Sequence, residues 1–277
     1  MLNRTFLNED FVMDFTGKVA LVTGGGNGIG RATALGFAER GAAVVVVDKD
    51  SAAAVETVRL IKESKKSAFD ICADVTRTGD VQAYVEATLQ KHGRIDCFFN
   101  NAGIEGRVAP TAEYDEDVFD SVIAVNVKGV FLGLRHVLPV MLKQGAGTVV
   151  NMASIAGLVG SPGMPAYVAS KHAVIGLTKV AAGEVSGEGV RVNAVCPGPI
   201  DTRMIHELAA QINADDPSAV RIGYESSIPI GRYGTATEVA NVVLFLCSDL
   251  SSNVTGAQYV VDGGRIASPK GVTSRSQ

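Results

Sequence analysis

Seven short runs of apolar, mostly β-branched residues recur along the chain: KVALVT (18–23), AVVVVD (43–48), SAFDIC (67–72), IDCFFN (95–100), GTVVNM (147–152), VRVNAV (190–195) and AQYVVD (257–262). The stronger runs are apolar throughout instead of alternating with polar residues, which predicts strands covered on both faces. Between the runs lie stretches with helical spacing of apolar positions, such as GRATALGFAERG and GDVQAYVEATLQKHG. Strand–helix alternation over the whole length predicts one doubly wound, Rossmann-type α/β domain. It would hold a parallel sheet of about seven strands with helices on both faces. The rhythm breaks over residues 203–234, where MIHELAAQINADDPSAVRIGYESSIPIGRYG predicts a helical insertion that serves as a substrate lid. No linker or repeat divides the rest. Residues 1–16 read as a poorly ordered extension, with Met13 a candidate internal start, 17–264 as the domain and 265–277 as a tail.

Composition narrows the function classes. The 277 residues are 47% hydrophobic and carry a formal net charge of −4, without a basic patch, which argues against a nucleic-acid partner. No apolar run approaches the ~20 residues of a bilayer span, so no membrane partner is expected. The first residues contain acidic side chains and no continuous apolar stretch, unlike an export signal. The four cysteines, Cys72, Cys97, Cys196 and Cys247, lack metal-ligand spacing; they read as reduced core residues of a cytoplasmic protein, and no metal site is expected.

The first strand runs into TGGGNGIG (23–30) and then a helix. Gly24, Gly28 and Gly30 follow a G-x-x-x-G-x-G spacing rather than the strict G-x-G-x-x-G dinucleotide fingerprint. Glycines let backbone approach a ligand closely, and the N-terminus of the following helix favours an anion. The turn, with Asn27 and Ile29, therefore reads as a pyrophosphate cradle. Asp48 ends the second strand, where a carboxylate accepts bonds from an adenosine ribose and repels a 2′-phosphate. That favours NAD over NADP, although Lys49 follows directly. Asp74 and Val75 end the third strand, placed to meet an adenine ring by its edge and face, with helix capping as the plain alternative for Asp74.

Tyr167 and Lys171 stand four residues apart in PAYVASKHA, one turn apart on one face of a predicted helix. Together with the glycine turn, the segments NNAG (100–103), Asn126 in AVNVKG, Ser154 in NMASIAG, YVASK (167–171) and PGPIDT (197–202) occur in an order that resembles the short-chain dehydrogenase/reductase family, in its single-domain branch. The resemblance runs from about Gly17 to Gly264 and implies hydride transfer between a nicotinamide cofactor and an alcohol or carbonyl carbon. It implies Tyr167 as general acid/base, Lys171 lowering its pKa and holding the nicotinamide ribose, and Ser154 bonding the substrate oxygen. It implies that Asn126 holds a water linking Lys171 to solvent. The loop of Asn100, Ala102 and Gly103 would pack on the adenine ribose, with Asn101 mainly structural. Pro197 and Gly198 would lie against the nicotinamide, and Ile200 and Thr202 would bond its carboxamide. A cation ~5 Å away at an effective dielectric of ~20 would draw Tyr167 about two pKa units below its free value near ~10.

The expected substrate wall comprises Ile155, Ala156, Val159, Met164 and Met204, with Ile104 and Pro197 nearby. Glu105 is its charged neighbour, read as lining the pocket or pointing away. Such a wall suits a neutral, largely apolar secondary alcohol or ketone. A 3-oxoacyl thioester, sugar or steroid on the same fold is the alternative, and a non-catalytic cofactor sensor a further one. The family default of a homotetramer completes the expectation.

Overall fold

The computed structural model describes residues 13–267. All seven predicted runs form strands: β1 (Val19–Thr23), β2 (Ala43–Asp48), β3 (Ala68–Cys72), β4 (Cys97–Asn100), β5 (Gly147–Met152), β6 (Val190–Pro197) and β7 (Gln258–Val261). They make one parallel sheet in the order β3-β2-β1-β4-β5-β6-β7.

Period-two alternation explains why the runs had to be apolar throughout. Val19, Leu21, Val45, Val47 and Val149 face one core layer, while Ala20, Val22, Val44, Val46 and Val150 face the other. The first layer is closed by α3 (Thr78–His92), α5 (Gly129–Gln144) and α6 (Pro165–Val185), through residues such as Tyr84, Val137 and Val174. The second is closed by α1 (Gly28–Glu39), α2 (Ser51–Glu63) and α9 (Ala236–Cys247), through Phe37, Ile61 and Leu244. The sheet order reverses between β1 and β4. Their following loops diverge there and open a crevice at the carboxyl ends of the strands.

Two details depart from expectation. First, α4 (Glu116–Ile123), a π-helical turn (Ala124–Lys128) and α5 form one continuous helix. Over 29 residues, with mean hydropathy 1.4 in its most apolar window, it is long and apolar enough to cross a bilayer by those measures. Its apolar face has another destination, because Val122, Val130, Leu134, Val137 and Met141 are buried within the protein. Second, Cys72 is exposed; the other three cysteines are buried, and all four are free thiols.

Residues 1–12 and 268–277 of the expected extension and tail lie outside the described residues. Within residues 13–16, Met13 and Phe15 pack inward: Phe15 is 2% exposed, meets Phe37 edge to face at 4.9 Å and donates its N–H to the Arg40 carbonyl. Within 203–234 the chain forms α7 (Arg203–Ile212) and α8 (Pro217–Ser226), beside the crevice.

Candidate active site

The crevice begins at the glycine turn. Gly24 has φ +61°, and a Cβ there would stand 2.8 Å from Asn101 Nδ2. A Cβ on Gly30 would run into the Gly24 carbonyl. The turn therefore cannot take side chains and still lie against α1. Asn27 precedes α1 without a side-chain cap, so the first N–H groups of α1 are left to whatever enters the crevice.

Asp48 reaches under this turn. Its Oδ2 accepts from Gly26 N at 2.9 Å and its Oδ1 from Asp50 N at 3.0 Å, which fixes the carboxylate at the crevice wall. Lys49 is turned toward Asp74, 3.4 Å from its Oδ2. The other Asp74 oxygen accepts from the Thr76 N–H and hydroxyl, so this carboxylate is engaged locally, as a capping residue would be. Its pKa is lowered by those bonds and by Lys49, against the cost of burial. Val75 lines the same wall.

The loop after β4 corrects one assignment. Asn100 does not line the crevice: it is 2% exposed, and its amide donates to the Val130 carbonyl and Asn151 Oδ1. It sits on the strand, so its side chain faces α5, and its neighbour turns the other way. Asn101 donates to the Thr23 and Gly24 carbonyls at 2.9 and 3.1 Å, bracing the glycine turn, and it lines the crevice with Ala102 and Gly103.

Asn126 lies in the π-helical turn, fully buried. Its Oδ1 accepts from Ile104 N at 2.9 Å, and its Nδ2 donates to the Ile104 carbonyl at 2.8 Å and Ser170 Oγ at 3.0 Å. Both amide N–H groups are spent on protein acceptors, so a water at this position would bond to an oxygen of the residue. This residue fastens the loop after β4 to α6. The unfavourable Asn in a helix interior is explained by these three bonds and by the local π geometry.

Ser154, at the end of β5, caps a short 3-10 turn by accepting from Ala156 N. Tyr167 and Lys171 share one face of α6, with the Lys171 ammonium 5.4 Å from the Tyr167 ring centroid. Lys171 is 3% exposed and donates to the Met152 carbonyl at 2.9 Å. Burial governs both groups. It pushes Tyr167 up to about 12, with Ser154 opposing and Glu105 adding to the rise. It pulls Lys171 down to about 8. In the cofactor-free chain the desolvation of the phenolate thus governs the Tyr167 pKa.

Apart from Asn100 and Asn126, the expected site residues border one cleft of 1210 Å³. Gly24, Asn27, Gly28, Ile29, Gly30, Asp48, Lys49, Asp74 and Val75 line its first half; Ser154, Tyr167, Lys171, Pro197, Gly198, Ile200 and Thr202 line the second. Thr202 donates its hydroxyl to the Ile200 carbonyl and precedes α7. Ile155, Ala156, Val159, Met164 and Met204 form the expected apolar wall. The residue pattern did not mark out Ser121, Leu208, Tyr224 and Arg265, which also border the cleft. They come from segments without a motif, and nothing in local spacing points to them.

The family described as enoyl-(acyl carrier protein) reductase matches residues 24–265. A levodione reductase from Leifsonia aquatica is 43% identical over 255 residues, covering 91% of this chain and 96% of the relative. The chain belongs to the short-chain dehydrogenase/reductase family. Among other relatives of this short-chain dehydrogenase/reductase is a cyclohexanol dehydrogenase from Acinetobacter sp. (strain SE19), 43% identical over 90% of this chain and 95% of that one. The crystal structure of levodione reductase superposes with a TM-score of 0.91 at 42% identity, covering 92% of this chain and all of that one. An NAD+-bound xylitol dehydrogenase does so with a TM-score of 0.86 at 38% identity, over 90% and 99% of the two chains. The short-chain dehydrogenase/reductase fold is thus common to chain and relatives, and the protein is an oxidoreductase.

Proposed function

We propose that the protein transfers a hydride between NAD(H) and a neutral, largely apolar secondary alcohol or ketone, with Tyr167 as general acid/base. The observation that carries this reading is a single cleft with a glycine cradle at one end and Ser154, Tyr167 and Lys171 against an apolar wall at the other. The cradle suits a dinucleotide: side chains at Gly24 or Gly30 would collide with Asn101 or the Gly24 carbonyl and distort the turn, and no side chain caps the N-terminus of α1. Asp48 would accept from the adenosine ribose, and Lys49 is drawn off by Asp74, which favours NAD over NADP. The NAD+-bound xylitol dehydrogenase among the structural neighbours supports the same choice. Ala102 and Gly103 would pack on the adenine ribose, Pro197, Gly198, Ile200 and Thr202 would border the nicotinamide, and Lys171 would hold its ribose.

When bound, NAD supplies the hydride acceptor or donor. The chain's part is the proton. A Tyr167 held near 12 is a neutral phenol at physiological pH, ready to give its proton to a ketone oxygen being reduced. Ser154 would hold that oxygen, and its bond to Tyr167 favours the phenolate left behind. In alcohol oxidation the proton moves the other way, and Lys171, still largely charged below about 8, stabilises the phenolate. Asn126 positions this machinery without touching substrate. The apolar wall and the cyclohexanol dehydrogenase among the relatives point to a cyclic alcohol or ketone.

The protein is further read as a homotetramer by analogy with its family, and the exposed apolar Phe131, Leu142 and Val180 of α5 and α6 suit a subunit contact; sedimentation velocity tests it. Its free thiols suit the cytoplasm. A thioester substrate is the second reading, favoured by Arg203 and Arg265 at the cleft and by the family's description.

The test is NADH formation or loss with NAD(H) and NADP(H) against cyclic alcohols, sugars, steroids and acyl thioesters. The reading predicts NAD-dependent turnover of cyclic secondary alcohols or their ketones. NADP-only turnover would contradict the Asp48 assignment. No turnover alongside tight NADH binding would favour a cofactor sensor.

A further inference from the structure

Glu105 occupies an unusual place for a carboxyl. The other carboxylates that line the cleft among the described residues, Asp48, Asp50 and Asp74, stand around its glycine-turn half. Glu105 lines the opposite half with Tyr167, Ser154 and Met164, and it is only part-exposed. Its backbone is fixed on both sides. Ile104 is held by two bonds to Asn126, and the Gly106 carbonyl accepts from Gln211 Nε2 at 3.3 Å. Gln211 Oε1 also accepts from Val108 N at 3.0 Å, so α7 is tied across the loop. The side chain meets Glu207 of α7, another carboxyl, with Arg203 and its 3.6 Å ion pair to Glu207 beyond. Glu105 is close enough to Tyr167 for its charge to oppose the phenolate. The Glu105 carboxyl bonds its own backbone N–H and meets a second carboxyl at Glu207, which leaves acceptor capacity toward the cleft that a donor on a ligand could take.

We propose that Glu105 selects the substrate by accepting a hydrogen bond from a second hydroxyl, so that the preferred substrate is a diol or hydroxy ketone whose second oxygen lies beside the reacting carbon. This deepens the dehydrogenase reading and rests on it. A hydroxyl suits the place better than an ammonium. Lys171 already puts a buried cation at this end of the cleft, and a hydroxyl brings a donor without a second charge. The apolar wall of Ile155, Val159 and Met164 would hold the carbon ring.

The test compares kcat/KM with NAD+ for vicinal cyclohexanediol, cyclohexanol and vicinal aminocyclohexanol, in the wild type, Glu105→Leu and Glu105→Gln. A hydrogen bond to a charged acceptor predicts a wild-type preference for the diol over cyclohexanol of about thirtyfold. In Glu105→Leu that ratio falls to about one, and in Glu105→Gln, whose amide oxygen still accepts, it stays between the two. The ratio is insensitive to a general loss of folded enzyme, and NADH fluorescence titration reports each variant's cofactor site separately. Cyclohexanol turnover without a diol preference, or a ratio untouched by Glu105→Leu, would overturn the Glu105 assignment alone. So would a preference for the amino alcohol over the diol. Tight NADH binding with no turnover of any of the three would overturn the dehydrogenase reading and the assignment with it.

Discussion

Lys171 is a charged group buried against its own interest, and replacing it with methionine makes that cost measurable. The ammonium is 3% exposed, with the Met152 carbonyl as its hydrogen-bond partner. Burial lowers its pKa from 10.5 to about 8. That fall corresponds to ~3 kcal/mol of folding free energy lost when the unfolded lysine is charged. The folded chain releases its proton near 8 and the unfolded chain near 10.5, so the unfolded state binds more protons between these values and wild-type stability rises across that window. Lys171→Met removes the cost but leaves the Met152 carbonyl without its donor, a loss of about 1 kcal/mol. The variant should therefore be more stable than wild type by about 2 kcal/mol at about pH 7, and about equal to it at about pH 10. Urea denaturation of the cofactor-free proteins, at equal protein concentration, measures both values. Tyr167 and Cys196 have raised pKa values that bear on stability in alkali, and Lys171 lowers that of Cys196, so the value at neutral pH, where both stay protonated, carries the comparison. A variant that is no more stable at neutral pH, with a difference that does not change with pH, would refute the reasoning.

Three further outcomes follow from the same geometry. Asp48→Asn should raise the NADP-to-NAD ratio of kcat/KM by about tenfold or more, since it removes the charge that would repel a 2′-phosphate; paired steady-state kinetics with the two cofactors measure it. Gly30→Ala should abolish tight NADH binding in fluorescence titration, because the new Cβ collides with the Gly24 carbonyl and pushes α1 off the turn; the strain should also cost about 1–3 kcal/mol of stability. Glu105→Gln should shift the acid limb of the pH profile for alcohol oxidation to lower pH, because Glu105 raises the Tyr167 pKa and a neutral amide does not; kcat/KM against pH in the two proteins measures the direction.

The sheet was legible because a strand covered on both faces has no choice but to be apolar at every position, and the valines of β2 show it directly. The glycine turn and the Tyr167–Lys171 pair were legible because their spacing is local: one turn of helix, one strand-to-helix junction. What failed was what depends on distant neighbours. Asn100 and Asn101 are adjacent and alike, and only the strand's alternation decides that Asn100 faces α5 and Asn101 the crevice. The inward placement of Glu105 depends on Gln211, more than a hundred residues away, and on Asn126. A pairwise Coulomb sum sees Lys171 beside Tyr167 but not the desolvation that both groups undergo in the fold, which depends on the whole surrounding structure. The long helix from Glu116 to Gln144 held no single apolar run of membrane length; its hydropathy emerges only once two helices and a π turn are seen as one element.

The most direct measurement of the central claim, that Tyr167 moves the proton, is Tyr167→Phe assayed beside wild type for turnover of a cyclic secondary alcohol and for NADH binding. The substitution removes one hydroxyl and keeps the ring over which Lys171 lies. The account predicts that kcat falls by at least about a thousandfold, while NADH affinity changes by less than about threefold. A variant that keeps turning over within about tenfold of wild type, with its cofactor site intact, would contradict it.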